Sequence, residues 1–328
     1  MELSVIITTY NRRECLKKTL ELLSKQTNSQ FNIIISDNCS SYDVLDVVKC
    51  FSMDFQNRIS VMKNPANIGM VGNIASCFTK MTGDWCWLLA DDDLPRLDAV
   101  EKIFEDILFA QEENIGVIQY PHYSIPDEKI ETRVIINDLS EYANYSERLY
   151  RNGVTLTNVQ GSNIWMSNKV YCRERVLDYI RFVFQYANTG IPQTIPILKM
   201  LENQSSKLLI HNEIVVEYPV IGDEQKSWNV CEIALGTSTL SYLPLDVDFE
   251  VKRRVWYYLM LKYKYVLEDY RKKGKTDLFF LEAVYNNMFK YILTEKEKDF
   301  FIKLIELAKN GKEIEYMAKM EKVDAYNK

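Results

Sequence analysis

Residues 85–95 read WCWLLADDDLP. The run before Asp91 is apolar and short, as a strand buried on both faces would be. It ends abruptly at Asp91, Asp92 and Asp93. Three adjacent carboxylates repel one another, and burying one without a partner is expensive. The segment therefore predicts a core strand, over residues 84–90, whose carboxyl end faces something positive.

Outward from this strand, the first 120 residues alternate strand-like and helix-like patterns. LSVIITT (3–9), FNIIIS (31–36), RISVMK (58–63) and IGVIQY (115–120) are four more short β-branched runs. Helical stretches fall at Arg12–Gln26, at about 42–53, and from about Pro95, which suits a first turn. Ile68, Val71, Ile74, Ala75, Phe78 and Met81 recur at intervals of three and four, with Asn67 placed as an N-cap. Such alternation predicts an α/β fold, a mostly parallel central sheet flanked by helices. Residues 121–150 read as an irregular insertion. Beyond it the patterns predict strands at 162–167, 207–211 and 214–219 and helices at 169–184 and 193–201. From about 248 the chain is helical by pattern, with a boundary near Pro244.

Composition narrows the function. The chain has 328 residues, 26% of them charged, and a net charge of −6, so bulk charge gives no footprint for nucleic acid. Seven Cys, an odd number without a CxxC pair, and two His argue for free thiols rather than a zinc site. There is no signal-peptide pattern and no apolar run of about 18 residues, which predicts a cytoplasmic protein.

In open parallel sheets, ligands bind beyond the carboxyl ends of the strands. Thr8, Thr9, Tyr10, Asn11 and Arg12 follow the first strand, Asp37 and Asn38 the second, Asn64 the third, and the three Asp the fourth. Asn67 and Gly69 open the helix after the third. A dinucleotide-binding turn would need glycines after the first strand, and TTYNRREC has none. If backbone amides do not cradle a diphosphate, a divalent cation held by carboxylates would neutralise it. Strand alternation alone would put Asp91 and Asp93 on one face. An Asp-x-Asp after a strand also serves Mg²⁺-dependent phosphohydrolases, although usually on an earlier strand.

With these pieces, SVIITTYNR (4–12), IIISDNCS (33–40), NPANIGMVGN (64–73) and LLADDDLP (88–95), the sequence resembles the inverting family-2 glycosyltransferases of the GT-A fold. The match covers about the first 120 residues. The resemblance implies a GT-A domain over 1–244, with a Rossmann-like nucleotide-binding half (1–120) and an acceptor-side half (121–244), followed by a C-terminal helical region (245–328). It implies Thr8, Thr9, Tyr10, Asn11, Asp37, Asn67, Gly69 and Asp91 around a nucleotide sugar, usually a UDP-sugar. Asp92 is then the main ligand of Mn²⁺ or Mg²⁺, with Asp93 in support. It also implies a glycan or lipid-linked acceptor, in bacterial surface polysaccharide synthesis.

The sequence departs from the pattern in its second half. The acidic pair that supplies the general base is replaced in NTGIPQTIPILKML (188–201) by Ile191, Pro192 and Gln193. Asp223 and Glu224, in IGDEQKSWN (221–229), are the alternative candidates. A non-catalytic nucleotide-sugar-binding relative is the reading that this departure keeps open. The basic, aromatic stretch 252–275 suits packing on the catalytic domain, a second subunit, or peripheral contact with an anionic membrane.

Overall fold

The computed structural model describes residues 1–123, 131–218, 230–260, 278–289 and 295–310. They form two compact units, Met1–Lys226 and Ser227–Lys328.

The first unit is built on an eight-stranded sheet. The apolar runs form β1 (Leu3–Thr9), β2 (Phe31–Asp37), β3 (Ile59–Lys63), β4 (Trp85–Ala90) and β6 (Ile115–Gln119). A two-residue β5 (Leu94–Pro95) precedes β6, and β7 (Arg133–Ile136), β8 (Lys169–Cys172) and β9 (Lys207–His211) follow it. The order is β3-β2-β1-β4-β8-β6-β9-β7. β1 to β4 are parallel, β8 runs against both β4 and β6, and β7 runs against β9. Helix α1 (Arg13–Leu23) buries Leu16, Leu20 and Leu23, one stripe at helical spacing, against the core. Val5, Ile7, Ile33, Ile35, Trp87 and Leu89 fill the same core from the strands.

Several elements differ from the sequence reading. The 42–53 stretch forms two one-turn helices, α2 (Leu45–Val48) and α3 (Met53–Gln56). Pro95 sits in β5, which pairs with β10 (Val216–Glu217), and the next helix, α5 (Ala99–Glu112), starts beyond it; α4 (Gly69–Cys77) precedes them. The insertion over 121–150 contains β7 and a full helix, α6 (Leu139–Arg151). Its polar look misled, because Tyr142, Ala143, Tyr145, Ser146 and Leu149 form the buried stripe. Asp138 caps it, accepting the Glu141 amide at 2.9 Å, while Glu141 accepts the Asn137 amide at 2.8 Å. The strand expected at 162–167 lies further on, at β8, since residues up to Ile164 belong to helix α7 (Leu156–Ile164). The Lys169 ammonium binds the carbonyls of Ser162 and Trp165 and so ends that helix.

The second unit contains helices at Val230–Ser238, Phe249–Tyr257, Leu278–Phe289 and Glu295–Lys309. Its start precedes the boundary expected near 244. Asn287 donates to the Ser238 hydroxyl at 2.9 Å and accepts from Tyr242 at 3.2 Å, which ties the first of these helices to the later ones. Trp256 and Tyr258 are buried, so these two rings are not free for a membrane interface; residues 261–275 lie outside the described residues. No helix among the described residues is long and apolar enough to cross a membrane.

Candidate active site

The carboxyl ends of β2, β1 and β4 lie side by side, with Thr9 opposite Asp37 and Thr8 opposite both Ser36 and Ala90. Thr9 therefore sits between Asp37 and Asp91. Its hydroxyl donates to Asp91 Oδ2 at 2.7 Å, and its carbonyl accepts the Asn38 amide at 2.9 Å.

The positive group opposite the acidic segment is Arg12. Its guanidinium spans two carboxylates, with Nη1 to Asp91 Oδ1 at 3.0 Å and Nη2 to Asp92 Oδ2 at 2.6 Å. Arg12, Cys15 and Thr19 share one face of the α1 segment, three and four residues apart. The Thr19 hydroxyl holds the backbone of the triplet, donating to the carbonyls of Asp91 at 2.8 Å and Asp93 at 3.3 Å. Asp93 instead accepts from the Ser167 hydroxyl, which itself accepts the Ala90 amide at 2.9 Å. Arg12 was visible in the sequence as the cation after β1 but was assigned no role, while Thr19 and Ser167 carried no sequence signal of their own.

The three carboxylates are not equivalent. Burial pushes Asp91 up to about 7, against the pull of Arg12 and Thr9. Burial, together with the charge of Asp92, pushes Asp93 up to about 8. Burial disfavours the charge on Arg12, but the bond to Asp92 and the charges of Asp91 and Asp92 outweigh it and hold its pKa above the ordinary value. Asp92 has Arg12 as its one ion-pair partner among the described residues.

On the nucleotide side, Asp37 is buried. Its Oδ1 accepts the Ser40 amide at 2.9 Å, whereas its Oδ2 has no hydrogen bond among the described residues, with the Lys63 ammonium 3.8 Å away. An acceptor left open in this way is a place for a ligand N–H. Asn38 is the hub of the loop beside it. Its Nδ2 donates to Asn67 Oδ1 at 2.8 Å and to the Gly69 carbonyl at 3.2 Å, and its Oδ1 accepts from Asn64 and the Ile68 amide. Asn67 Oδ1 accepts the Gly69 amide at 2.9 Å, an Asx turn just ahead of α4. The N-cap itself is Ile68, one residue later than the Asn67 expected from the sequence, because the turn places Asn67 outside the first helical residue. Gly69 has φ +77° with nothing within 4 Å of a Cβ position, so backbone conformation rather than crowding calls for glycine. Behind them, Lys80 donates to Ser36, Asn64 and Ser76, bracing this wall with three neutral acceptors. Asn11, at φ 54°, bonds Ser40 and Ser41, and Tyr10 is partly exposed on the same turn.

The acceptor side is less complete. Gln193 is buried, donates to the Ile164 carbonyl, and leaves Oε1 without a partner among the described residues; an amide cannot accept the proton as a carboxylate would. Asp223 and Glu224 lie outside the described residues. The chain leading to them is anchored, since Glu217 pairs with Leu94 and Val216 with Pro95. The next ring, Tyr218, stacks on Trp165 with centroids 6.4 Å apart and meets His122 edge-on at 5.7 Å. Burial lowers His122 to about 4, so it is neutral. Gly161 makes room for it, as a Cβ there would lie 2.2 Å from the ring.

Among the described residues, no three His, Cys, Asp or Glu groups converge as a closed metal cage. That fits a hard cation held by one or two carboxylates together with phosphate oxygens, the usual arrangement for Mg²⁺ at nucleotide sites. Asp92, with its one exchangeable partner, is the carboxylate suited to it, and Asp93 lies next in the chain.

The comparisons give the family and the fold. Residues 4–173 match the model of glycosyl transferase family 2, so the chain belongs to that family and is a glycosyltransferase. Its fold is of the GT-A type. Abequosyltransferase RfbV of Salmonella typhimurium is 23% identical over 94% of this chain and 98% of its own. An uncharacterized glycosyltransferase of Haemophilus influenzae is 35% identical, over 36% of this chain and 38% of its own length. Among solved structures, Staphylococcus aureus TarS 1-349 with UDP-GlcNAc superposes with a TM-score of 0.59 at 14% identity, covering 99% of this chain and 92% of that one. A Pyrobaculum calidifontis mannosyltransferase with GDP-Man and Mn²⁺ gives 0.53 at 10% identity, covering 88% and 74%. At these identities the two structures speak for the fold. Family membership sets aside the phosphohydrolase and non-catalytic readings.

Proposed function

We propose that the protein transfers a sugar, with inversion, from a UDP-linked donor to a glycan or lipid-linked acceptor during assembly of a bacterial surface polysaccharide. The observation that carries this reading is the Thr9-centred row of Asp37, Asp91 and Asp92 at the ends of three parallel strands. Asp37 Oδ2 accepts an N–H of the base. Thr8, Thr9, Tyr10, Asn11, Asn67 and Gly69 line the nucleoside. Asp92, supported by Asp93, holds a divalent cation, Mn²⁺ or Mg²⁺, which stabilises the charge of the leaving diphosphate. Asp91 holds Thr9 and Arg12 in place near the ribose and diphosphate. A relative named as an abequosyltransferase and matched over nearly its whole length supports a sugar-transfer role of this kind.

For the general base, Gln193 is unsuitable, and Asp223 or Glu224 takes the acceptor proton. The anchoring of β10 against β5, directly after Asp93, supports this choice. The acceptor sugar approaches from the side of Trp165 and Tyr218. The test is incubation with UDP-sugars, Mn²⁺ and a lipid-extracted acceptor pool. Transfer by the wild type, lost in Asp92→Asn and in either Asp223→Asn or Glu224→Gln, is the expected result. UDP-sugar binding with no transfer to any acceptor counts against it.

A further inference from the structure

The acidic segment already has a counter-charge, and that counter-charge occupies the carboxylate best suited to the cation. Arg12 bridges Asp91 and Asp92 through two different nitrogens at 3.0 and 2.6 Å. The two carboxylates differ in what else holds them. Asp91 is also fixed by the Thr9 hydroxyl, and its backbone carbonyl by Thr19. Asp92 accepts from Arg12 and, among the described residues, makes no other side-chain hydrogen bond. Removing Arg12 from Asp92 thus leaves the Asp91 end of the bridge standing.

A cation arriving at Asp92 meets a guanidinium already there. Cation and guanidinium repel each other across the one carboxylate, so the arrival of the cation weakens the contact of Arg12 with Asp92 Oδ2. Nη2 of the guanidinium is then free to donate to a phosphate oxygen while Nη1 stays on Asp91. The side chains of Arg12 and Asp92 are each about 15% exposed, so this exchange takes place at the solvent edge rather than in the core.

Resting on the metal-dependent reading above, we propose that Arg12 is an exchangeable counter-ion: it competes with the divalent cation for Asp92 in the free protein and turns to the donor's diphosphate once the cation is bound. Cation and nucleotide are then coupled through one side chain. The cation alone binds against Arg12. The nucleotide gives the displaced guanidinium a new partner, so each ligand improves the site for the other, by the same factor in both directions. An Arg12 that only braced the loop would make no such trade, and its loss would weaken both ligands.

The test is Mn²⁺ binding, followed by electron paramagnetic resonance of the free ion, for wild type, Arg12→Gln and Arg12→Lys, each with and without UDP. Circular dichroism melting accompanies each titration. In Arg12→Gln, Mn²⁺ alone is expected to bind roughly three- to tenfold more tightly, as a half-buried ion pair no longer competes. In the same variant UDP in saturating Mn²⁺ binds more weakly, so the two effects have opposite signs. Arg12→Lys, with charge but no fork, falls between and covers the case in which the Gln variant folds poorly. Mn²⁺ binding that is unchanged or weaker in both variants overturns the exchange. A wild type that binds no Mn²⁺ even with UDP overturns instead the metal-dependent reading on which the exchange rests.

Discussion

Two buried carboxylate centres lie in the first unit, and they are built on opposite plans. Asp106, in α5, is fully buried and accepts from Arg133 Nε at 2.7 Å, His211 Nδ1 at 2.5 Å and the Tyr120 hydroxyl at 2.8 Å. One acid has three donors, drawn from β7, the end of β9 and the residue after β6. The Asp91–Asp93 segment has three acids and, among the described residues, one cation, Arg12. The first centre is saturated and joins the strands at one end of the sheet. The second is short of positive charge, and its deficit falls at the solvent edge beside an open acceptor on Asp37. A surplus of carboxylates over donors, rather than burial of carboxylates as such, distinguishes a ligand site from a structural knot.

The two centres also carry opposite pH signatures. Burial works against the Asp106 charge, but the bonds from His211, Arg133 and Tyr120 prevail and hold its carboxyl below the ordinary range. Its contribution to stability is present above the unfolded value near 4 and is lost as pH falls through the folded one. Asp93 is raised to about 8. Its contribution is complete below about 4 and is lost as pH rises toward 8.

The comparison can be broken most forcefully at Asp106. Asp106→Asn is expected to cost about 2–4 kcal/mol, because the fully buried acid that accepts from Arg133, His211 and Tyr120 loses the charge that strengthens those bonds, while Arg133 stays partly solvated. In a unit of this size that lowers Tm by about 10 °C at pH 7, and the loss shrinks in acid. Activity per folded molecule should survive. Asp92→Asn is expected to do the reverse, keeping Tm while lowering kcat by about 10²–10³, the scale of one lost transition-state charge contact. Asp37→Ala should weaken UDP binding by roughly tenfold or more, since a charged hydrogen bond to the base is lost, and should leave kcat at saturating donor nearly unchanged. At Asp93 the effect turns on pH. Asp93→Asn should raise the Tm of the cation-free protein at pH 8 and not at pH 4; a lowered Tm at pH 8 would contradict the pKa assignment.

Much of the nucleotide half was legible because each of its parallel strands is a short apolar run with a polar residue at or just past its carboxyl end. Parallel pairing then brings those ends together without further information. Asp37, Asn67, Gly69 and the three Asp could be placed along one edge for that reason. What stayed hidden depended on tertiary partners. Ser167 reaches Asp93 from a turn about seventy residues on, and nothing local marks it. Arg12 was in view, but whether a cation after β1 points to solvent or to β4 is decided by the register between the two strands. Helix α6 was missed because two tyrosines and a serine share its buried face with Ala143 and the leucines, so the apolar stripe is interrupted by residues that read as polar. In the second half the motif itself departs from the family, so at Gln193 residue type gave no guide to the base.

The central claim is that the charge deficit of the acidic segment is met by a divalent cation together with a diphosphate. Calorimetric titration of UDP into the protein, once with Mn²⁺ and once with EDTA, tests it most directly. The account predicts a Kd at least about tenfold weaker in EDTA, one lost charge-assisted contact or more, with the difference abolished in Asp92→Asn. Equal UDP affinity in Mn²⁺ and EDTA would contradict it.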